Sequence, residues 1–140
     1  MTSVVVDTSA MVAVLTAEPG CEWILDCLGD AESRLIAAPT AVELGIVLEA
    51  RAPGAVGIAH RVLRDAQITV VPFDADLADR AIDAWRRFGK GRHPAGLNLG
   101  DCFTYALAEE TGFPILCVGD DFSRSDLPVL GKNEGSVRGG

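Results

Sequence analysis

Two short apolar runs end in acid. Val4-Val5-Val6 leads straight into Asp7, and Ile115-Leu116-Cys117-Val118 passes through Gly119 into Asp120 and Asp121. Runs of this length without polar alternation are strands covered on both faces, the mark of a parallel sheet between helices. The rest of the chain alternates in the same way. Strands are expected at residues 3–6, 35–37, 68–71 and 115–118, with a last, short edge strand at 128–130. Helices are expected over 8–15, from Pro19 through Leu28, from Pro39 to the break at Pro53-Gly54, on to about Ala66, from an N-cap at Asp74 through Phe88, and from Leu99 to a stop at Gly112. In the helix after Asp74, the spacing of Leu77, Ala78, Ala81, Ile82, Trp85 and Phe88 predicts one inward-packing face. The expected fold is α/β: a central, mainly parallel sheet covered by helices.

With 140 residues, 49% hydrophobic and 23% charged, the chain has enough material for one domain with a sizeable core. That domain is expected over residues 1–130. Residues 131–140 hold four glycines and little apolar content, so a disordered tail is expected there. The longest uncharged run, residues 8–17, has ten residues, against about 20 needed to span a bilayer. No basic segment precedes the first apolar run, so no signal peptide is expected and the cytoplasm is the expected compartment. Cysteines 21, 27, 102 and 117 have neither zinc nor redox spacing, and read as small buried hydrophobes. The first strand lacks the glycine-rich turn of a dinucleotide site. The net charge of −8 argues against a broad nucleic-acid-binding surface, yet five of the twelve bases fall between residues 80 and 92.

In parallel sheets, ligands gather at the carboxyl ends of the strands. Asp7 and the Asp120-Asp121 pair stand there, although Asp is also a good helix N-cap. Glu43 sits mid-helix between Val42 and Leu44, with Ile46 and Val47 beyond it, so at least partial burial is expected. Asp101 lies at the start of its helix in Asn98-Leu99-Gly100-Asp101, where it either completes a capping box with Asn98 or, with Thr104, Tyr105 and Ala108 along its face, lines a cleft. Four acids on four elements can form one pocket, whose mutual repulsion requires protons or cations. Oxygen ligands without cysteine or histidine favour Mg2+ or Mn2+, ions suited to activating water against phosphates.

The order Val-Val-Val-Asp-Thr-Ser-Ala (4–10), Glu43, Asn-Leu-Gly-Asp (98–101) and Gly-Asp-Asp-Phe (119–122) resembles the PIN domain, and more closely the VapC-type toxins of bacterial toxin–antitoxin pairs. The segment 89–98, Gly-Lys-Gly-Arg-His-Pro-Ala-Gly-Leu-Asn, resembles a signature of one VapC subgroup, and the likeness runs over residues 3–130. The resemblance implies a three-layer α/β/α fold and a Mg2+- or Mn2+-dependent endoribonuclease. It implies a carboxylate set of Asp7, Glu43, Asp101 and Asp121, with Asp120 as the alternative fourth acid. Metal ligation falls first on Asp7 and Asp101, and Ser9 is a supporting pocket hydroxyl. The implied products carry a 3′-hydroxyl and a 5′-phosphate. The implied partners are a VapB-type antitoxin, a transfer or ribosomal RNA, and a second copy in a homodimer.

Lys90 and Arg92, in the glycine-rich loop before Asp101, are candidate contacts to RNA phosphates. Arg86 and Arg87 fit that role too, or an ordinary solvated helix face paired with Asp79 and Asp83. Trp23 and Trp85 fall on apolar stripes and are expected in the core. The rival reading of the same acids is a catalytically silent PIN-like module that binds an antitoxin or another basic peptide.

Overall fold

The computed structural model describes residues 2–130 together with the backbone of Val137–Arg138. Strands β1 (Val4–Val6), β2 (Arg34–Ala37), β3 (Ile68–Val71), β4 (Ile115–Leu116) and β5 (Val129–Leu130) are parallel, and β6 (Val137–Arg138) pairs antiparallel with β5. The strand order is β3-β2-β1-β4-β5-β6. From β1 the chain moves outward through β2 to β3, then crosses back to lay β4 on the other side of β1. The order therefore reverses between β1 and β4, where a parallel sheet opens a crevice at its carboxyl rim.

Six helices cover the two faces: α1 (Thr8–Leu15), α2 (Glu22–Asp30), α3 (Ala38–Arg51), α4 (Ala55–Asp65), α5 (Ala75–Phe88) and α6 (Leu99–Thr111). The pleat of β1 sends Val4 and Val6 into a core with α1, α2, α3 and α4, and Val5 into a second core with α5 and α6. The run Val4-Val5-Val6 is thus buried on both sides, as a strand in a three-layer α/β/α sandwich must be. Gly112 ends α6 in the left-handed conformation that its missing Cβ permits. Among the described residues no helix is long and apolar enough to cross a membrane.

Several expectations need correction. Strand β4 stops at Leu116 rather than Val118, because the Val118 N–H turns out of the ladder to donate to Ser9 Oγ at 3.0 Å. β5 is not the edge of the sheet, since β6 lies beyond it; the remainder of the expected tail lies outside the described residues. The buried line of α5 is Leu77, Ala81 and Ala84, whereas Ile82 and Trp85 are 60% and 45% exposed. They flank that line and, with Phe73, Leu99, Cys102 and Phe103, form an open apolar groove of about 530 Å³. Trp85 is therefore not a core residue, while Trp23 is half-buried against the first core. Cys102 and Cys117 are buried and Cys21 and Cys27 half-buried, all of them free thiols.

Candidate active site

Asp7 follows β1 directly and caps α1: its Oδ2 accepts from the Ser9 N–H at 3.1 Å and from Ser9 Oγ at 2.7 Å. Its Oδ1 accepts from Thr104 Oγ1 on α6, also at 2.7 Å. The carboxylate is only 4% exposed. On α6, Asn98 and Asp101 close a capping box, the Asn98 N–H donating to Asp101 Oδ2 at 3.0 Å and the Asp101 N–H to Asn98 Oδ1 at 2.8 Å. Asp101 Oδ1 takes no part in the cap. Asp7 and Asp101 thus each cap a helix, and both stand at the carboxyl rim of the sheet. The positive ends of two helix dipoles point at the same place, which favours negative charge there.

Glu43 reaches this rim from α3. It is half-buried, because the inward line of α3 runs through Thr40, Leu44, Gly45 and Leu48 and leaves Val42 and Ile46 outside. Thr8 Oγ1 donates to Glu43 Oε1 at 2.6 Å. The same carboxylate lies so close to Gly100 that a Cβ there would overlap Oε2 and stand 2.7 Å from Oε1. Glu43 is therefore seated against the first turn of α6, one residue from Asp101.

Electrostatics join the fourth acid to this group. Burial pushes the Asp101 carboxyl up to about 7; the Asn98 N–H, the next largest influence, pulls it down, and the charges of Asp7, Asp121 and Glu43 add to the rise. Asp120 does not act on Asp101 in this way; it lines a cleft of about 270 Å³ with Glu18, Cys21, Trp23 and Cys117, and its charge joins those of Asp7, Asp101 and Asp121 at the Cys117 thiol. Below the rim, burial and then the charge of Asp7 raise the Cys117 thiol to about 12, so it stays protonated and is no ligand for a hard cation. Among the described residues, no ion pair to a basic side chain compensates Asp7, Glu43, Asp101 or Asp121. Among the same residues, no three acids, cysteines or histidines stand together closely enough to hold a metal ion by themselves. Mg2+ or Mn2+, hard cations that are held by one or two carboxylates and keep several waters, fit such uncompensated oxygen donors.

The supporting hydroxyls were only partly visible in the sequence. Ser9 and Thr8 lie beside Asp7, but Thr104 and Thr40 come from distant segments and meet only in the fold, 3.5 Å apart and fully buried. The signal for Thr104 was its spacing of three from Asp101, which places both on one helix face.

The basic strip divides. Arg87 is engaged by Asp83, Glu109, Asp126 and Tyr105, and Arg80 by Asp76 and Glu109. Those arginines fasten α5 to α6 and to the segment after the short 3-10 helix at Phe122–Arg124. Among the described residues Arg86, Lys90 and Arg92 carry no ion pair. Arg92 lies over the Trp85 ring at 4.7 Å and donates to the Arg86 carbonyl. Lys90 is exposed, with its backbone pinned to Leu97. Neither Lys90 nor Arg92 contacts the four acids; the chain alone connects them, through Asn98.

A family model for the PIN domain matches residues 4–127. The chain is 44% identical over 128 residues to a protein named Ribonuclease VapC from Mycolicibacterium smegmatis, covering 90% of this chain and 98% of that one. It is 42% identical over 128 residues to Ribonuclease VapC30 of Mycobacterium tuberculosis, covering 90% and 97%. Among solved structures, the sarcin-ricin loop cleaving toxin VapC20 of Mycobacterium tuberculosis superposes with a TM-score of 0.72 at 19% identity, over 89% of this chain and 96% of that one. A toxin–antitoxin complex from Klebsiella pneumoniae gives 0.68 at 16% identity, over 94% and 99%.

Proposed function

The chain belongs to the PIN domain family, and on that premise we propose that it is the toxin of a toxin–antitoxin pair and a Mg2+- or Mn2+-dependent endoribonuclease. The observation that carries this reading is the group of acids at the reversal of strand order, with no basic side chain among the described residues to compensate it. The relatives named as ribonucleases VapC, similar over nearly their whole length, support it.

Asp7 and Asp101 are the proposed ligands, with Glu43 and Asp121 completing the acidic wall. When bound, the ion supplies Lewis acidity to water and to a phosphodiester oxygen. The residues supply position. Asp7 is fixed by its three donors, and Asp101 by its cap. Glu43 has one oxygen held by Thr8, so its Oε2 can accept a hydrogen bond from the attacking water and orient it against phosphorus. Attack by water, not by the ribose 2′-hydroxyl, leaves a 3′-hydroxyl and a 5′-phosphate. Lys90 and Arg92 are the proposed phosphate contacts outside the pocket, and Ser9 supports Asp7 from within it.

The functional unit in this reading is residues 1–130, acting in the cytoplasm on a transfer or ribosomal RNA. A VapB-type antitoxin covers the acids, and the active form is a homodimer. The test is incubation of the purified chain, freed of any bound antitoxin, with total RNA in Mg2+, Mn2+ or EDTA, beside Asp7→Ala, followed by sequencing of new 5′ ends. Discrete metal-dependent cuts that vanish in the variant are expected, and their positions identify the RNA. If the folded wild-type chain makes no cut, the enzyme is refuted and the acids belong to a peptide-binding module.

A further inference from the structure

Asp7 has four lone-pair sites on its two carboxylate oxygens. Oδ2 takes two donors, the N–H and the Oγ–H of Ser9. Oδ1 takes one, from Thr104 Oγ1, and is therefore the oxygen with acceptor capacity left for a cation. Thr104 stands 97 residues from Asp7 in the chain and is fully buried. A carboxylate only accepts, so the single Thr104 proton is committed to Asp7. The Thr104 oxygen can then only accept from Thr40 Oγ1, 3.5 Å away, which sets the direction Thr40 to Thr104 to Asp7. Thr104 also follows Asp101 by three residues, so one face of α6 both carries one proposed ligand and grips the other.

We infer that Thr104 is a positioning residue for cation binding: its hydroxyl fixes the orientation of Asp7 Oδ1, the oxygen left free to ligate, relative to Asp101. This rests on the metal-dependent reading above and assigns the fixing to a residue outside the four acids. Partners that orient a ligand are worth about 10–100-fold in metal affinity when removed. The loss should therefore appear in binding itself, before any RNA is present.

The experiment is Mn2+ titration of the RNA-free protein, with free Mn2+ followed by electron paramagnetic resonance, for wild type, Thr104→Val, Thr104→Ser and Thr104→Cys. Melting in EDTA is recorded alongside. Thr104→Val is close in shape but has no donor, and should bind Mn2+ at least about tenfold more weakly. Thr104→Ser keeps the hydroxyl and should bind within about threefold of wild type. Should Thr104→Val not fold, Thr104→Cys decides, because its thiol keeps similar bulk and donates only weakly. Wild-type affinity in the donor-poor variant overturns the inference and leaves the nuclease reading standing. A loss in Thr104→Ser as large as in Thr104→Val overturns it in favour of packing. Absence of Mn2+ binding to the folded wild-type chain overturns both.

Discussion

At Asp101 one carboxylate oxygen closes a helix cap while the group as a whole stands among Asp7, Glu43 and Asp121. Burial above all, with those charges adding to it, lifts it from an ordinary 3.8 to about 7. An acid whose folded value lies above its unfolded one holds a proton that the unfolded chain has already released. In the metal-free protein this contribution to stability is greatest below about pH 4 and is lost as pH rises towards 7. Melting in EDTA from pH 4.5 to 8 should show that decline in wild type beyond any seen in Asp101→Asn, and parallel curves would show that the Asp101 carboxyl is not raised. Cation binding must displace the proton, so apparent Mg2+ affinity should fall by up to about tenfold per unit below pH 7. The place of Asp7 directly after β1, and of the Asp120-Asp121 pair beyond β4, was legible in the sequence from the apolar runs that precede them. The hydroxyls opposite Asp7 were not, since the pairing of Thr104 with Asp7 depends on how α6 lies across the sheet.

Helix α6 shows how an element can be readable in outline and not in contact. Its cap at Asn98, its stop at Gly112 and its placement before β4 all follow from local sequence. Gly100 inside its first turn carried no such meaning, and the fold supplies one: the Glu43 carboxylate occupies the space a Cβ would need. Gly100→Ala should keep the fold and its melting temperature, helped by the better helix propensity of alanine, worth up to about 1 kcal/mol. The overlap falls on the far end of a flexible side chain, so Glu43 moves instead, and cleavage should drop about tenfold or more. A double-mutant cycle isolates the cause: in a Glu43→Ala background the same change should cost almost nothing more. Additive losses would place the effect of Gly100 elsewhere. Helices α3 and α5 taught a different lesson. Apolar periodicity located both, but their inward lines run through small residues, Gly45 on α3 and Ala81 and Ala84 on α5. Bulky neighbours such as Ile46 and Ile82 fall outside because small residues let a helix lie close to its partner, and periodicity weighs bulk more than closeness.

Those outward residues matter for the whole molecule. Val42, Ile46, Ile82, Trp85 and Leu99 are all exposed, although the chain carries a net charge of −8 and could have kept its surface polar. Ile82, Trp85 and Leu99 share the groove between α5 and α6 with Phe73 and Phe103. Contiguous apolar surface of this kind marks an interaction face. The proposed homodimer gives it an occupant: two copies related by a twofold axis can each bury the other's groove with the same patch. Trp85 is the natural anchor, being large, half-exposed and stiffened by Arg92 stacked over its ring. Light scattering behind size-exclusion chromatography should therefore give twice the 14.7 kDa chain mass for wild type. Trp85→Glu should shift this to the single-chain mass at low micromolar concentration, since a charge buried without a partner opposes association. Circular dichroism should be unchanged, because Trp85 takes no part in the buried line of α5. Substitution of His60, on the distant groove between α3 and α4, provides the control and should leave the dimer intact. A Trp85→Glu protein that remains dimeric would assign the apolar groove to a different partner, and the antitoxin, added as a purified peptide, is then the next occupant to test.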